Sequence, residues 1–389
     1  MSFLATACVV RVNRERFQKM VFAIVMGLFP VLLVSCGSGK LPAFQSGQTA
    51  YVTLPTENSV LLLHINGLTG AITTGALTPQ VTGTAPHGLA LLPHKFLFVA
   101  NSQSNAIAVY KIASDGSLSL SSTPTPDGGT GPDNLTIDSS GKFLFVSNSF
   151  SANVSAFSID SSSGALTAVA GSPFFANDSP GEMLILPGTS FLYVTNSRIG
   201  TVTGFTFSSS GVLTTVPGSP FVSGPGASGL AVSNSGQYLY IANSTALNPG
   251  STTVGNISGF NIDSTSGTLT RIIGSPFTSA IGSGPSTLVA DASGRFIFAT
   301  TPGTAFSIWA FTLDPTNGQL AASPGSPFSV AGGGLFAVTD SIGSFLYIGS
   351  QSANGIEAYA YDPNNGQPTT VLNSPFSTFT APGKMVIDQ

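Results

Sequence analysis

Apolar and polar positions follow one block that recurs from Tyr51 to the end of the chain. Its sharpest part is an aromatic–aliphatic run closed by a β-branched or small residue. The run ends at Val52, Val99, Val146, Val194, Ile241, Ala299 and Ile348, with gaps of 47, 47, 48, 47, 58 and 49 residues. Self-similarity at this period marks a repeat architecture, in which each unit buries its apolar face only against its neighbours.

The third block shows the elements most clearly. Positions 132–138 alternate toward Leu135 and Ile137 and predict a first strand, A, followed by the turn Ser139-Ser140-Gly141. Strand B covers 142–148 with Phe143-Leu144-Phe145-Val146, and strand C covers 154–159 with alternation at period two, the pattern of a half-buried strand. Asp160-Ser161-Ser162-Ser163-Gly164 turns the chain into strand D at 165–170, which Gly171-Ser172-Pro173-Phe174 closes. Gly-Ser-Pro-Phe returns at 218–221, 274–277 and 325–328, with Asn373-Ser374-Pro375-Phe376 as a variant. Proline breaks strand D, and the Phe is expected to wedge between adjacent units. No stretch after the N-terminal segment carries a 3.6-residue period, so helix is not expected.

Each strand A opens at a turn position: Pro86, Pro132, Pro180, Ala227, Pro285, Gly334 and Pro382. From all but the last, strand B closes 13 or 14 residues on. The segment 381–388 reads as a strand A with no strand B after it, whereas the first unit starts at strand B with no strand A before it. The two pieces complete one unit. The expectation is a ring of seven blades, six intact and one shared, closed by the C-terminal strand so that no blade edge stays open.

These strands resemble a known family. Phe191-Leu192-Tyr193-Val194-Thr195-Asn196 contains the Tyr-Val-Thr-Asn string that names one group of propeller repeats. Gly141-Lys142-Phe143-Leu144-Phe145-Val146, followed by Asn148, looks like the repeat of the seven-bladed lactonase propellers, which include 6-phosphogluconolactonase-like and muconate-cyclising enzymes. The resemblance covers residues 50–389 and is specific for fold rather than activity, because its motifs are strands and turns. It implies an all-β, seven-bladed propeller of four-stranded antiparallel blades, with strand A nearest the axis and ligands at the axial mouth.

Ahead of the ring, Arg11, Arg14, Arg16 and Lys19 precede the apolar run 20–34. That run is shorter than the roughly 20 residues needed to cross a bilayer. It ends in Leu33-Val34-Ser35-Cys36, which looks like the lipobox of a bacterial lipoprotein. The likeness implies a signal peptide over 1–35, lipidation of Cys36 and a location in the cell envelope, attached to the membrane through the lipid alone. Residues 36–49 read as a flexible tether and 50–389 as the propeller. Only Cys8 and Cys36 occur, so the processed chain would hold no disulfide.

Charge narrows the partners. From Cys36 onward the chain has 8 Lys and Arg against 15 Asp and Glu, a net of −7, and its basic residues stand singly. A nucleic-acid partner, which requires a basic stripe, is excluded. The expected state is a monomer.

Candidate chemistry follows from the ring. The D-to-A and B-to-C loops share one face, and two of them are lengthened in the fifth unit: 14 positions from Asn243 to Ile257 and 8 from Phe277 to Pro285. Binding loops vary while the scaffold stays constant, so function is assigned to this face. The pairs after the opening turns read His87-Gly88, Asp133-Asn134, Gly181-Glu182, Ser228-Gly229, Ser286-Thr287, Leu335-Phe336 and Gly383-Lys384. His87, Asp133, Glu182 and Lys384 thus fall on four consecutive blades, with Arg198 beyond strand B of the fourth unit in reach of the same rim.

Lactone hydrolysis needs a base to activate water and a group to stabilise the oxyanion. His87 is the base, oriented by Glu182 or Asp133, and Lys384 or Arg198 meets the oxyanion. No cofactor is required, although an acidic pair with loop carbonyls also suits a hard cation such as Ca²⁺. Plainer roles stand beside these: Asp133-Asn134 after Pro132 makes a good turn, His87 caps a loop, and Glu182 and Lys384 are solvated rim charges. A phosphorylated sugar lactone would call for converging Arg or Lys groups, which this mouth does not supply. Three functions stay open: hydrolysis of a small unphosphorylated lactone, a non-catalytic platform for an envelope partner using the fifth-blade loops, and a structural surface protein.

Overall fold

The structure is a computed structural model that describes residues 47–74, 79–244, 255–277, 284–301, 306–330, 332 and 334–388. These residues form seven antiparallel sheets, each a blade. Blade three shows the plan: an innermost strand Pro132–Ile137, then Phe143–Asn148, Asn153–Ile159 and an outer strand Leu166–Ala168, hydrogen-bonded in that order. A single 3-10 turn, Pro55–Glu57, interrupts the all-β pattern.

Ring closure follows the expectation. Met385–Asp388 is the innermost strand of blade one and pairs antiparallel with Gln48–Leu54, placing Val52 opposite Met385 and Thr49 opposite Asp388. Blade one continues outward through Ser59–Ile65 and Ile72–Thr74. The innermost strands of blades two, four, five, six and seven are Pro86–Leu92, Pro180–Ile185, Ala227–Val232, Thr287–Ala290 and Ala337–Thr339.

The outer edge departs from a simple four-strand blade. In blade three the outer strand is split, and Phe174–Phe175 returns to pair with the same Asn153–Ile159 that holds Leu166–Ala168. The Gly-Ser-Pro-Phe motif makes this break. Proline has no N–H for the ladder, and the serine hydroxyl substitutes by accepting a main-chain N–H of the third strand: Ser172 from Ala156 (2.9 Å), Ser219 from Gly204 (3.0 Å), Ser275 from Gly259 (2.9 Å).

The apolar core is divided among the seven gaps between blades. One cluster joins Phe96, Phe98 and Val109 of blade two to Leu144, Val146 and Phe157 of blade three; another joins Phe143, Phe145 and Val154 of blade three to Leu192, Val194 and Phe205 of blade four. The phenylalanines of the proline motif pack here as wedges, with Phe174, Phe277, Phe328 and Phe376 against successive clusters and Phe221 buried within one. Because both faces of a blade are covered, the second strands of blades two to seven are buried at every position, as in Phe143–Asn148 and Phe191–Asn196, and that of blade one from Ala50 onward. This is why they read as continuous apolar runs. Coverage also corrects the reading of the third strand as half-buried: Ser155 is wholly buried and bonds to Asn148 (2.8 Å) and Asp127 (3.2 Å) instead of water.

Candidate functional site

The innermost strands begin irregularly. Their pairing to the second strand shifts register between Pro86 and Leu89, Pro132 and Asn134, Pro180 and Met183, and Ala227 and Leu230. A bulge leaves residues outside the ladder and re-aims their side chains. His87, Asp133 and Glu182 lie in these interruptions, and Lys384 directly precedes Met385–Asp388. An axial cavity of about 160 Å³ is lined by residues from all seven innermost strands. Glu182, Lys384, Asn134 and Thr287 supply its polar side chains, and Leu89, Leu135, Met183, Leu288 and Phe336 are among its apolar ones.

The structure resolves the four ionisable residues into two pairs. His87 Nδ1 lies 2.9 Å from Asp133 Oδ1 and 3.1 Å from the Asp133 carbonyl. Both neighbours are acceptors, so Nδ1 carries the proton and Nε2 is left with its lone pair. The close approach of blades two and three that permits this needs Gly88, where a Cβ would stand 2.6 Å from the Asp133 carbonyl. Lys384 Nζ lies 2.5 Å from Glu182 Oε2. Asp133 therefore orients His87, and Glu182 holds Lys384.

The pairs share one electrostatic field. Burial works against the imidazolium, but the Asp133 hydrogen bond and charge outweigh it, and the His87 pKa is raised; Lys384 opposes part of that rise. Burial also disfavours the Asp133 carboxylate, yet His87 and then Lys384 hold its pKa below the usual range. For Lys384 the cost of burial is exceeded by the attraction of Glu182 and Asp133, so its pKa is raised as well. The four groups sense one another, which is the convergence expected from the ring.

Arg198 is not brought into this group, which corrects the expectation that it shares the rim. It is 75% exposed, its Nε lies 3.6 Å from Asp178, and it lines a separate groove with Ile199, Val222 and Pro225. Position along a loop does not tell which way the loop turns, and this one carries the guanidinium outward. His94 lies in the turn between the first two strands of blade two, against Asp388. The lengthened loops of the fifth blade, the run 20–34 and Cys36 lie outside the described residues, and among the described residues no helix is long and apolar enough to cross a membrane. Also among them, no set of three or more His, Cys, Asp or Glu gathers as metal ligands. Asp133 instead faces His87, and Glu182 faces Lys384.

Apart from the aspartates that end innermost strands, two buried carboxylates escaped the sequence reading. Asp127 is 2% exposed and Glu357 is 1% exposed, the latter bonded to the Tyr359 hydroxyl. Both sit at positions where other blades carry small or apolar residues, and that contrast was the available signal.

A ring of seven antiparallel blades with ionisable residues gathered at one axial mouth defines a β-propeller with a candidate small-molecule site. The sequence profile described as lactonase, 7-bladed β-propeller, matches residues 41–185 and 180–334. The chain belongs to this family of lactonase propellers.

Solved structures share the fold. A putative 6-phosphogluconolactonase from Bacteroides fragilis superposes with a TM-score of 0.74 at 18% identity, covering 90% of this chain and 99% of that one. The periplasmic gluconolactonase of Pseudomonas aeruginosa gives 0.72 at 20% identity, covering 88% and 99%. A putative 6-phosphogluconolactonase from Bacteroides uniformis gives 0.74 at 15%, covering 88% and 100%. No curated protein matches the sequence.

Proposed function

We propose that the mouth hydrolyses a small, uncharged lactone. The observation carrying this reading is the His87–Asp133 pair: Asp133 accepts the hydrogen bond of Nδ1–H and leaves Nε2 as the base, with the Lys384 ammonium in the same field. Water attacks the lactone carbonyl carbon as its proton passes to Nε2. The carbonyl oxygen takes the negative charge, which an N–H of Lys384 not engaged with Glu182 meets. The ring C–O bond then breaks, and the imidazolium returns its proton to the departing alkoxide, giving a hydroxy acid.

Charge selects the substrate. The His87 imidazole and the Lys384 ammonium each already face a carboxylate, so a phosphate would have no cation to itself and would meet two like charges. An uncharged lactone meets neither obstacle. The same commitment of Asp133 and Glu182 fits a calcium ion poorly, and the reaction as drawn uses none. The gluconolactonase named among the solved structures contributes the fold to this reading; the substrate class comes from the mouth.

The protein is further read as an envelope lipoprotein, signal peptide 1–35, anchored through Cys36 and acting as a monomer. The deciding experiment is a lactone panel followed by acid release in a pH-stat. Turnover of unphosphorylated sugar lactones that is lost in His87→Ala supports the reading, and turnover unchanged in His87→Ala and Lys384→Met removes it.

A further inference from the structure

Side-chain hydroxyls reach from blade to blade beneath the mouth. Thr53, wholly buried, follows the closing residue Val52 of the second strand in blade one. Its Oγ1 accepts the Lys384 main-chain N–H at 2.9 Å and donates to the His87 carbonyl at 3.0 Å. Main-chain bonds clamp the same spot, from Thr53 N–H to the Lys384 carbonyl (3.0 Å) and from Gly383 N–H to the Thr53 carbonyl (2.8 Å). Gly383 permits the approach, since a Cβ there would stand 2.5 Å from the hydroxyl oxygen. The main chains of His87 and Lys384, far apart in the sequence, are thus joined through one hydroxyl.

Ser147 occupies the corresponding position in blade three and repeats the device. It accepts the Asn134 N–H at 3.2 Å and donates to the Gly181 carbonyl at 2.7 Å, joining the segments that carry Asp133 and Glu182. Thr195 in blade four lies 3.3 Å from the Glu182 carbonyl and 3.2 Å from that of Ser228. Elsewhere the position holds Ala100, Ala242 or Gly349, or Thr300, which turns to Thr287 of its own blade at 2.6 Å. The boundary above Ala100 is the one spanned by His87 and Asp133 themselves. At this position, struts between blades stand at three boundaries, and each touches at least one segment that carries an ionisable residue of the mouth. Ser286, from another position, links blades six and seven.

The geometry points to Thr53 as a positioning residue that sets the spacing of His87 and Lys384 for the hydrolysis proposed above, with Ser147 doing the same for Asp133 and Glu182. The inference rests on that reading of the mouth. Its physical basis is that displacing reacting groups by an ångström costs on the order of 100-fold in rate, so the supports behind them matter as much as the groups themselves.

The test is Thr53→Val, which keeps the shape and removes the hydroxyl, beside Thr53→Ser and Ser147→Ala. Thr53→Val is expected to lower kcat on a hydrolysed lactone by about 10- to 100-fold with KM within about threefold. The protonation midpoint of His87, followed by NMR of its ring protons, is expected to move down as the hold of Asp133 loosens. Thr53→Ser restores both readings, and Ser147→Ala reproduces the loss of kcat. A folded Thr53→Val with kcat and midpoint unchanged overturns the inference, as does a Thr53→Ser that restores neither. Should Thr53→Val not fold, Ser147→Ala decides by kcat. Should the native protein hydrolyse no lactone, the functional reading falls alone, and the His87 midpoint still decides the positioning role.

Discussion

The carboxylate of Asp388 receives the main-chain N–H of His94, with its two oxygens at 3.1 and 3.3 Å, although 294 residues separate the two. Asp138, Asp291 and Asp340 hold the same place at the end of an innermost strand, and each caps N–H groups of its own following turn. In blade one the first two strands come from opposite ends of the chain, so no turn joins them. The carboxylate serves blade two instead, and His94 Nδ1 reinforces the contact at 3.2 Å.

This clasp makes the last strand a fastener as well as the source of Lys384. Deleting residues 383–389 is expected to expose the edge of Gln48–Leu54 and to produce a protein that self-associates, as unpaired strand edges do. Light scattering and a melting curve check it. A truncated chain that stays monodisperse with the native melting temperature would contradict closure as described.

Removing single mouth residues should separate activity from stability. His87→Ala is expected to lower lactone turnover by about 10²- to 10⁴-fold, the usual contribution of a positioned proton-transfer group, and Glu182→Ala, which releases Lys384 from its partner, is expected to lower it as well. The melting temperature should stay close to native, because both side chains lie at the solvent-facing mouth.

A pH profile tests the His87–Asp133 pair. The base works as the neutral imidazole, and its raised pKa places the rising limb of kcat/KM above the ordinary histidine value of about 6.5. Asp133→Asn should move that limb to lower pH while reducing the plateau. The same shift bears on stability. A histidine raised by folding adds stability that is complete below its unfolded pKa and lost as pH rises through its folded one.

Asp127 gives a second pH signature, away from the mouth. Burial pushes its pKa up to about 6, against the hydrogen bonds of Gly129, Ser155 and Asn148. Thr82 and Ser223, at the same position in their blades, donate hydroxyls to Asn101 (3.0 Å) and Asn243 (2.7 Å), whereas the side-chain oxygen of Asn148 has no such donor. Folding therefore binds a proton at Asp127, and stability from this group falls as pH rises from about 4 to 6, by about 3 kcal/mol. Asp127→Ser should supply the missing donor and erase that difference from native in denaturant titrations at pH 4 and 7. Parallel pH dependence in the two proteins would refute it.

For anchoring, Cys36→Ala is expected to release the protein from the membrane fraction into the soluble one. Continued membrane residence of the variant would count against lipidation.

Blade number, closure and the gathering of His87, Asp133, Glu182 and Lys384 were legible in the sequence for one reason. In a ring of equal units, position within the repeat is position around the axis, so residues after successive opening turns must become neighbours. Pairing within the mouth was not legible, because whether Asp133 or Glu182 meets His87 depends on how each bulge aims its side chain. Arg198 was misplaced for the same reason, its loop adding freedom that the repeat does not govern. The polar residues of the third strand misled by looking solvent-facing, as alternation cannot distinguish water from a neighbouring blade's buried hydroxyls.

Each apolar cluster here belongs jointly to two blades, so no sector owns a private interior. Peeling one away strips a flank from each of its two neighbours, and damage at any radius spreads around the circle. The molecule should come apart in a single concerted step, and a lost sector cannot be skipped over as it could in an open-ended stack.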